Sequence, residues 1–241
     1  MRAEHTVDLG SNEEQRIYQS GVGILLYLVK HSRPDISNAV RELAKVMDGS
    51  TKANMKSLYR AIKYVVDTKN KHYIMDPKFL NEKDWIIVGK SDSDYAGDRE
   101  SRKSVSGYVV YVMGVLISWK SRGQKSDTLS STEAAYVSFS EMCTEIVFIN
   151  MVIESMGIKV KLPIKVYVDN IGAMFLANNT TTAQRTKHID IRHHYGRELI
   201  YDGVIEVIFV KTADNEADIF TKNTSAELFK KHPENFMIVD D

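Results

Sequence analysis

Carboxylates recur in this chain where apolar stretches end. Asp92 and Asp94 follow the run WIIVGKS, Asp169 follows IKVYV, and Glu216 and Asp218 lie in TADNEADIF near the C-terminus. A carboxylate at a strand end projects from the rim of a rigid sheet, and several drawn together offer the hard oxygen ligands that divalent cations take. Taken singly, each has a plainer role, because aspartate favours turns and helix caps. One of Asp214 or Asn215 can cap the helix that bears Glu216 and Asp218, leaving Asp218 to face the sheet, though capping plus a solvated face fits that stretch equally well. Only the combination points to metal-dependent chemistry.

One more acid, Glu133, stands in LSSTEAAYVSFSEM, a stretch that reads as a helix start and continues with Ala134 and Ala135. Basic side chains gather in SWKSRGQK, as Lys120, Arg122 and Lys125, and in QRTKHIDIRHH, as Arg185, Lys187 and Arg192. These could approach the phosphates of a nucleic acid, or could be ordinary solvated surface beside turns. His188, His193 and His194 do not share the i, i+4 face that a helical zinc site uses. The single cysteine, Cys143, excludes an internal disulfide and disfavours a cysteine zinc site, and a reducing intracellular setting fits it. VYVDN is similar to half of a polymerase tetrapeptide, but with one aspartate and no earlier partner acid it predicts no polymerisation by this chain.

These residues need a scaffold, and the chain is long enough for one: 241 residues, 43% of them apolar. Thirty-two basic and 32 acidic side chains cancel, so a generally basic, nucleic-acid-coating protein is not indicated. The longest apolar run, GVGILLYLV at 21–29, is far short of the roughly 20 residues that span a bilayer, and no membrane partner is expected. Residues 1–12 read as a flexible lead-in. Three helices follow over 13–70, the second starting near Asp35 after Pro34 and the third capped by Thr51. The period then changes to strands at HYIMD, DWIIVGKSDSD and GYVVYVMGVLISWKS, the last turning at Met113 and Gly114. A long helix over 131–156, a strand at PIKVYVDN, a helix from Ile171, a helix across HIDIRHHYGRELIYDG, a strand at VIEVIFV and a last helix near NEADIFTK complete the pattern. The expectation is an α/β fold, a mixed sheet covered by helices.

The ordered set SDSDYAGD, SGYVVYVMGVLISWKS, SSTEAAY, VYVDNIGAMFLANN, RTKHIDIRHHYGRELI and ADIFTK closely resembles the ribonuclease H domain of copia-type LTR retrotransposon Pol polyproteins. The segment from YQSGVGILLYLVKHSRPDI onward is similar to the part that joins reverse transcriptase to that domain, so the resemblance covers about residues 18–222. It implies a connection-like helical segment at 13–70, a ribonuclease H-like domain at 71–222 with a five-stranded mixed sheet, and a tail at 223–241. It also implies four carboxylates holding two Mg²⁺ ions, with Mn²⁺ as a substitute, about 4 Å apart, which activate water for attack on the RNA strand of an RNA/DNA hybrid. The implied partners are that hybrid and the reverse transcriptase palm and fingers, in a cytoplasmic particle or the nucleus. Carried over by position, Asp92, Asp169 and Asp218 are the metal ligands and Glu133 the nearest candidate for the fourth catalytic acid, with Asp94 secondary. The family pattern is close to STEAEY, and Ala135 stands where its second glutamate, the apparent ligand, is expected. Two residues along a helix is a rotation of about 200°, so Glu133 cannot replace a ligand at 135 if both lie within the helix. Asp127, in place of an apolar strand residue, and KNTSAEL, in place of a proline-containing continuation, are smaller departures. An inactive remnant of the fold, binding nucleic acid or protein only, is the alternative expectation.

Overall fold

The computed structural model describes residues 11–98, 100–125, 127–178 and 195–239. The chain divides into two compact units, one built on the residues up to Tyr73 together with those from Met237, the other on Ile74–Phe236.

The first unit is helical. Helix α1 (Asn12–His31) begins with a capping box, in which Ser11 Oγ accepts from the Glu14 N–H and the Glu14 carboxylate accepts from the Ser11 N–H. Pro34 bars helix at the residue before it, so the chain turns through a 3-10 segment, Pro34–Ile36, into α2 (Ser37–Ala44). Helix α3 (Lys52–Asp67) starts at Thr51, which caps it as expected, with Asn54 closing the box. Tyr18, Val22, Leu25, Ile36, Val40, Leu43 and Leu58 form the core. Asp35 is buried in a fork of two 2.9 Å bonds from Arg33, and Tyr64 of α3 donates to the same carboxylate at 3.0 Å. Strand β1 (Lys71–Tyr73) pairs antiparallel with β7 (Met237–Val239) in a two-stranded sheet. Of HYIMD only His72 and Tyr73 lie in a strand, whose partner falls within the residues expected to be a tail.

The second unit carries the five-stranded mixed sheet that the resemblance implies. Its order is β4 (Val115–Gly123), β3 (Val105–Val112), β2 (Ile87–Asp94), β5 (Ile164–Val168), β6 (Ile205–Phe209). The first three strands are antiparallel neighbours and β2, β5 and β6 run parallel. Met113 and Gly114 turn β3 into β4 with φ of 52° and 84°, the left-handed pair that a two-residue hairpin demands. Parallel neighbours need crossovers, supplied by α4 (Ser131–Ser155) before β5 and by α5 (Ile171–Asn178) and α6 (Tyr195–Tyr201) before β6. Helix α4 buries Tyr136, Phe139, Met142, Ile146, Ile149 and Ile153 against the sheet. Its 25 residues are long and apolar enough to cross a membrane, yet that apolar side is the core of this unit.

Two expectations are corrected. NEADIF is a 3-10 segment, Glu216–Phe220, because contacts with the sheet, described below, override the helical period. Residues after 222 are structured as α7 (Ala226–Lys231), a 3-10 turn His232–Asn235 and β7. Of the helix expected across HIDIRHHYGRELIYDG only α6 lies within the described residues.

Candidate metal centre

Asp92 sits near the end of β2, opposite Gly107 of β3. A Cβ at Gly107 would lie 2.5 Å from Thr221 Cγ2 and 3.1 Å from the Ala217 carbonyl, so the Glu216–Phe220 segment rests directly on this strand pair. Asn215 fastens it there. Its Nδ2 donates to the Ser91 carbonyl at 3.0 Å and its Oδ1 accepts from the Ala217 N–H at 3.3 Å. Because Asn215 does the capping, Asp218 is released from that role. The same division of labour recurs after β5, where Asn170 Oδ1 caps α5 through the Ala173 N–H at 2.9 Å and leaves Asp169 free of it. Glu216 is drawn elsewhere, to Lys90 at 2.6 Å and Asn235 at 2.7 Å.

Three ligand oxygens, one each from Asp92, Asp169 and Asp218, lie within 4.8 Å of one another. Asp92 and Asp218 are buried and Asp169 is half-buried. The Thr221 hydroxyl bonds the Asp92 carboxylate. Lys222 Nζ stands 2.6 Å from Asp218 Oδ1 and 3.5 Å from Asp92 Oδ2. Burial pushes the Asp218 carboxyl up to about 6; the Lys222 ammonium opposes this and the negative Asp92 adds to it. Asp169 is raised by burial and by Asp92, against a hydrogen bond with Thr212. Burial works against the Lys222 ammonium, but the Asp92 and Asp218 carboxylates outweigh it and raise its pKa.

Clustered carboxylates with an ammonium between two of them form a cation-attracting site made of hard oxygens, and that donor set fits Mg²⁺ or Mn²⁺. Three of the four expected acids are thus brought together. Glu133 does not join them among the described residues: it is the third residue of α4, its N–H donates to Ser130 Oγ, and its Oε2 accepts from the Leu129 N–H at 2.7 Å. Both 133 and 135 lie inside the helix, the condition under which one cannot stand in for the other. Ala135 is 7% exposed and belongs to the core. One turn on, Ser138 Oγ donates to the Asp92 carbonyl at 2.7 Å, so the helix face bearing Ala135 and Ser138 lies toward the Asp92 end of β2. Asp94, the last residue of β2, also stands outside the group of three.

Lys120 lies over the Tyr108 ring at 5.8 Å, and the Tyr108 hydroxyl feels Glu145 and Glu141 of α4 as well as Arg122. Lys120 and Arg122 are therefore both gathered near Tyr108, while Lys125 is exposed after β4. Arg185, Lys187 and Arg192, with His188, His193 and His194, fall outside the described residues. The cap open in the sequence to Asp214 or Asn215 is Asn215, whereas sequence reasoning passed over Asn170, Ser138 and Lys222. Only Lys222 left a signal, four residues after Asp218.

No family model matches the chain. It is 37% identical over 214 residues to the retrovirus-related Pol polyprotein from transposon RE1 of Arabidopsis thaliana, covering 88% of this chain and 14% of that protein. To the retrovirus-related Pol polyprotein from transposon TNT 1-94 of Nicotiana tabacum it is 34% identical over 217 residues, covering 90% and 16% respectively. A shorter match, 36% over 134 residues, joins it to secreted RxLR effector protein 161 of Plasmopara viticola, with 56% of this chain and 92% of that protein covered. The chain thus spans a small part of the length of the polyproteins it matches.

Proposed function

The chain belongs to the retrovirus-related Pol polyproteins of copia-type transposons, and on that footing we propose that it carries their ribonuclease H-like domain, directed at the RNA strand of RNA/DNA hybrids. The observation that carries this reading is the convergence of Asp92 in β2, Asp169 just after the parallel strand β5 and Asp218 in the 3-10 segment Glu216–Phe220. When bound there, a Mg²⁺ or Mn²⁺ ion supplies a water of lowered pKa and charge stabilisation at the departing 3′ oxygen.

The chain's own residues set the geometry. Asn215 and Gly107 fix the segment that bears Asp218, Asn170 takes over the capping of α5 beside Asp169, and the Asp92 backbone is tied to α4 through Ser138. The fourth corner is a methyl group at Ala135, which offers no ligand atom, so hydrolysis is held at a low level. The helical unit is read as the reverse transcriptase connection, with the palm and fingers of the same polyprotein as partner, and an intracellular particle or the nucleus as location.

Purified protein incubated with a labelled hybrid and Mg²⁺ is expected to cut the RNA strand slowly and to stop on chelation or in Asp169→Asn. Cleavage that persists in chelator, or in Asp169→Asn, would remove the metal-site reading. The buried Ala135 also favours a second reading, a domain that holds the hybrid without cutting it. That reading predicts a gel shift with no cleavage from the unaltered chain.

A further inference from the structure

The only lysine in contact with the acidic cluster among the described residues is Lys222, and it contacts two of the three acids at once. Its Nζ bridges Asp218 Oδ1 at 2.6 Å and Asp92 Oδ2 at 3.5 Å, the span a bound cation would bridge. Its backbone is held, since the Lys222 N–H donates to the Asp218 carbonyl at 3.2 Å. Its side chain is 35% exposed, whereas those of Asp92 and Asp218 are 5% and 3% exposed. The ammonium thus has a way out to solvent that the carboxylates lack.

Resting on the metal-site reading above, we propose that Lys222 is a displaceable counter-cation: it occupies the ion's place in the metal-free chain and leaves it when a divalent ion binds. A metal ion sits about 2.1 Å from its oxygen ligands. An ion on Asp218 Oδ1 would therefore lie against the present position of the ammonium, and like charges so close repel strongly in a buried site. The lysine neutralises part of the cluster's charge when no ion is present, and its displacement lowers the apparent affinity for the ion. Once displaced, it stays tethered beside the site as a cation available to a phosphate.

Two measurements on the full chain test this. Acetic anhydride labelling, read by peptide mass spectrometry, is expected to modify Lys222 several-fold faster with saturating Mg²⁺ than without, while the exposed Lys125 stays unchanged. By calorimetry with Mn²⁺, Lys222→Met is expected to bind about ten-fold more tightly than the wild type, about 1.4 kcal/mol, and Lys222→Arg no more tightly. Ion binding by the wild type with no change in Lys222 labelling, or with no gain in Lys222→Met, overturns the proposal and leaves the metal site standing. If neither chain takes up Mn²⁺, the metal-site reading itself falls and the proposal with it. The labelling uses the unaltered chain, so it decides the matter even if Lys222→Met does not fold.

Discussion

Asp218 carries its charge in the folded chain only above a pH of about 6, well above its ordinary value of 3.8, because burial penalises the carboxylate. The stabilisation that this group contributes by staying protonated is fully present below about pH 4 and is lost as pH rises through about 6. Metal binding runs the other way, since the ion needs the ionised form. Mn²⁺ affinity is expected to fall about ten-fold per pH unit below pH 6, and an affinity unchanged between pH 5 and 7 would contradict this account of the site. At this scale the sequence is legible where a residue's surroundings are local. Asp92 and Asp169 could be picked out because each follows an apolar strand, and Asp218 because it lies in a recognisable signature. Glu133 could not be placed, because a glutamate three residues after a serine suits a helix cap and a ligand alike. Lys222 is legible only through Asp218, four residues back, because its second partner, Asp92, is 130 residues away, a distance no local pattern reports.

Among the elements, the first turn of α4 gives Glu133 a structural contact. Its bond to the Leu129 N–H satisfies a donor near the helix start. Glu133→Ala should therefore cost about 1 kcal/mol of stability in a denaturant melt and leave Mn²⁺ affinity unchanged. A loss of metal binding would return Glu133 to the site. The 3-10 segment offers a sharper test. Gly107→Ala places a methyl 2.5 Å from Thr221 Cγ2 and 3.1 Å from the Ala217 carbonyl, so the segment must lift or the strand must shift. A destabilisation of about 1–3 kcal/mol, with weaker ion binding, is expected. An unchanged melt would mean that the segment is not seated on β3 as described. The hairpin at Met113 and Gly114 and the cap at Thr51 were readable, since both depend on neighbours in the chain. The 3-10 geometry of NEADIF was not, since the Ser91 carbonyl and Gly107 that shape it lie more than 100 residues earlier.

For the whole molecule, the chain closes its first unit with its last strand. Removing the residues from Met237 onward takes away β7 and leaves β1 without its partner. Amide hydrogen exchange at Lys71–Tyr73 should then quicken while the strands of the five-stranded sheet keep their protection. Equal loosening of both would contradict the division into two units. Pattern alone gave the order of helices and strands as far as residue 222 and hence the class of fold, but pairings between segments so far apart in the chain carry no such signature. On the function proposed above, three aspartates form a cation site whose fourth corner falls at Ala135. The direct test compares wild type, Ala135→Glu and Ala135→Glu with Asp169→Asn on a labelled RNA/DNA hybrid in Mg²⁺. Ala135→Glu is expected to raise RNA-strand cleavage by about two orders of magnitude, with the gain abolished by chelator and erased by the added Asp169→Asn. Robust cleavage by the wild type that Ala135→Glu leaves unchanged would contradict the proposed site.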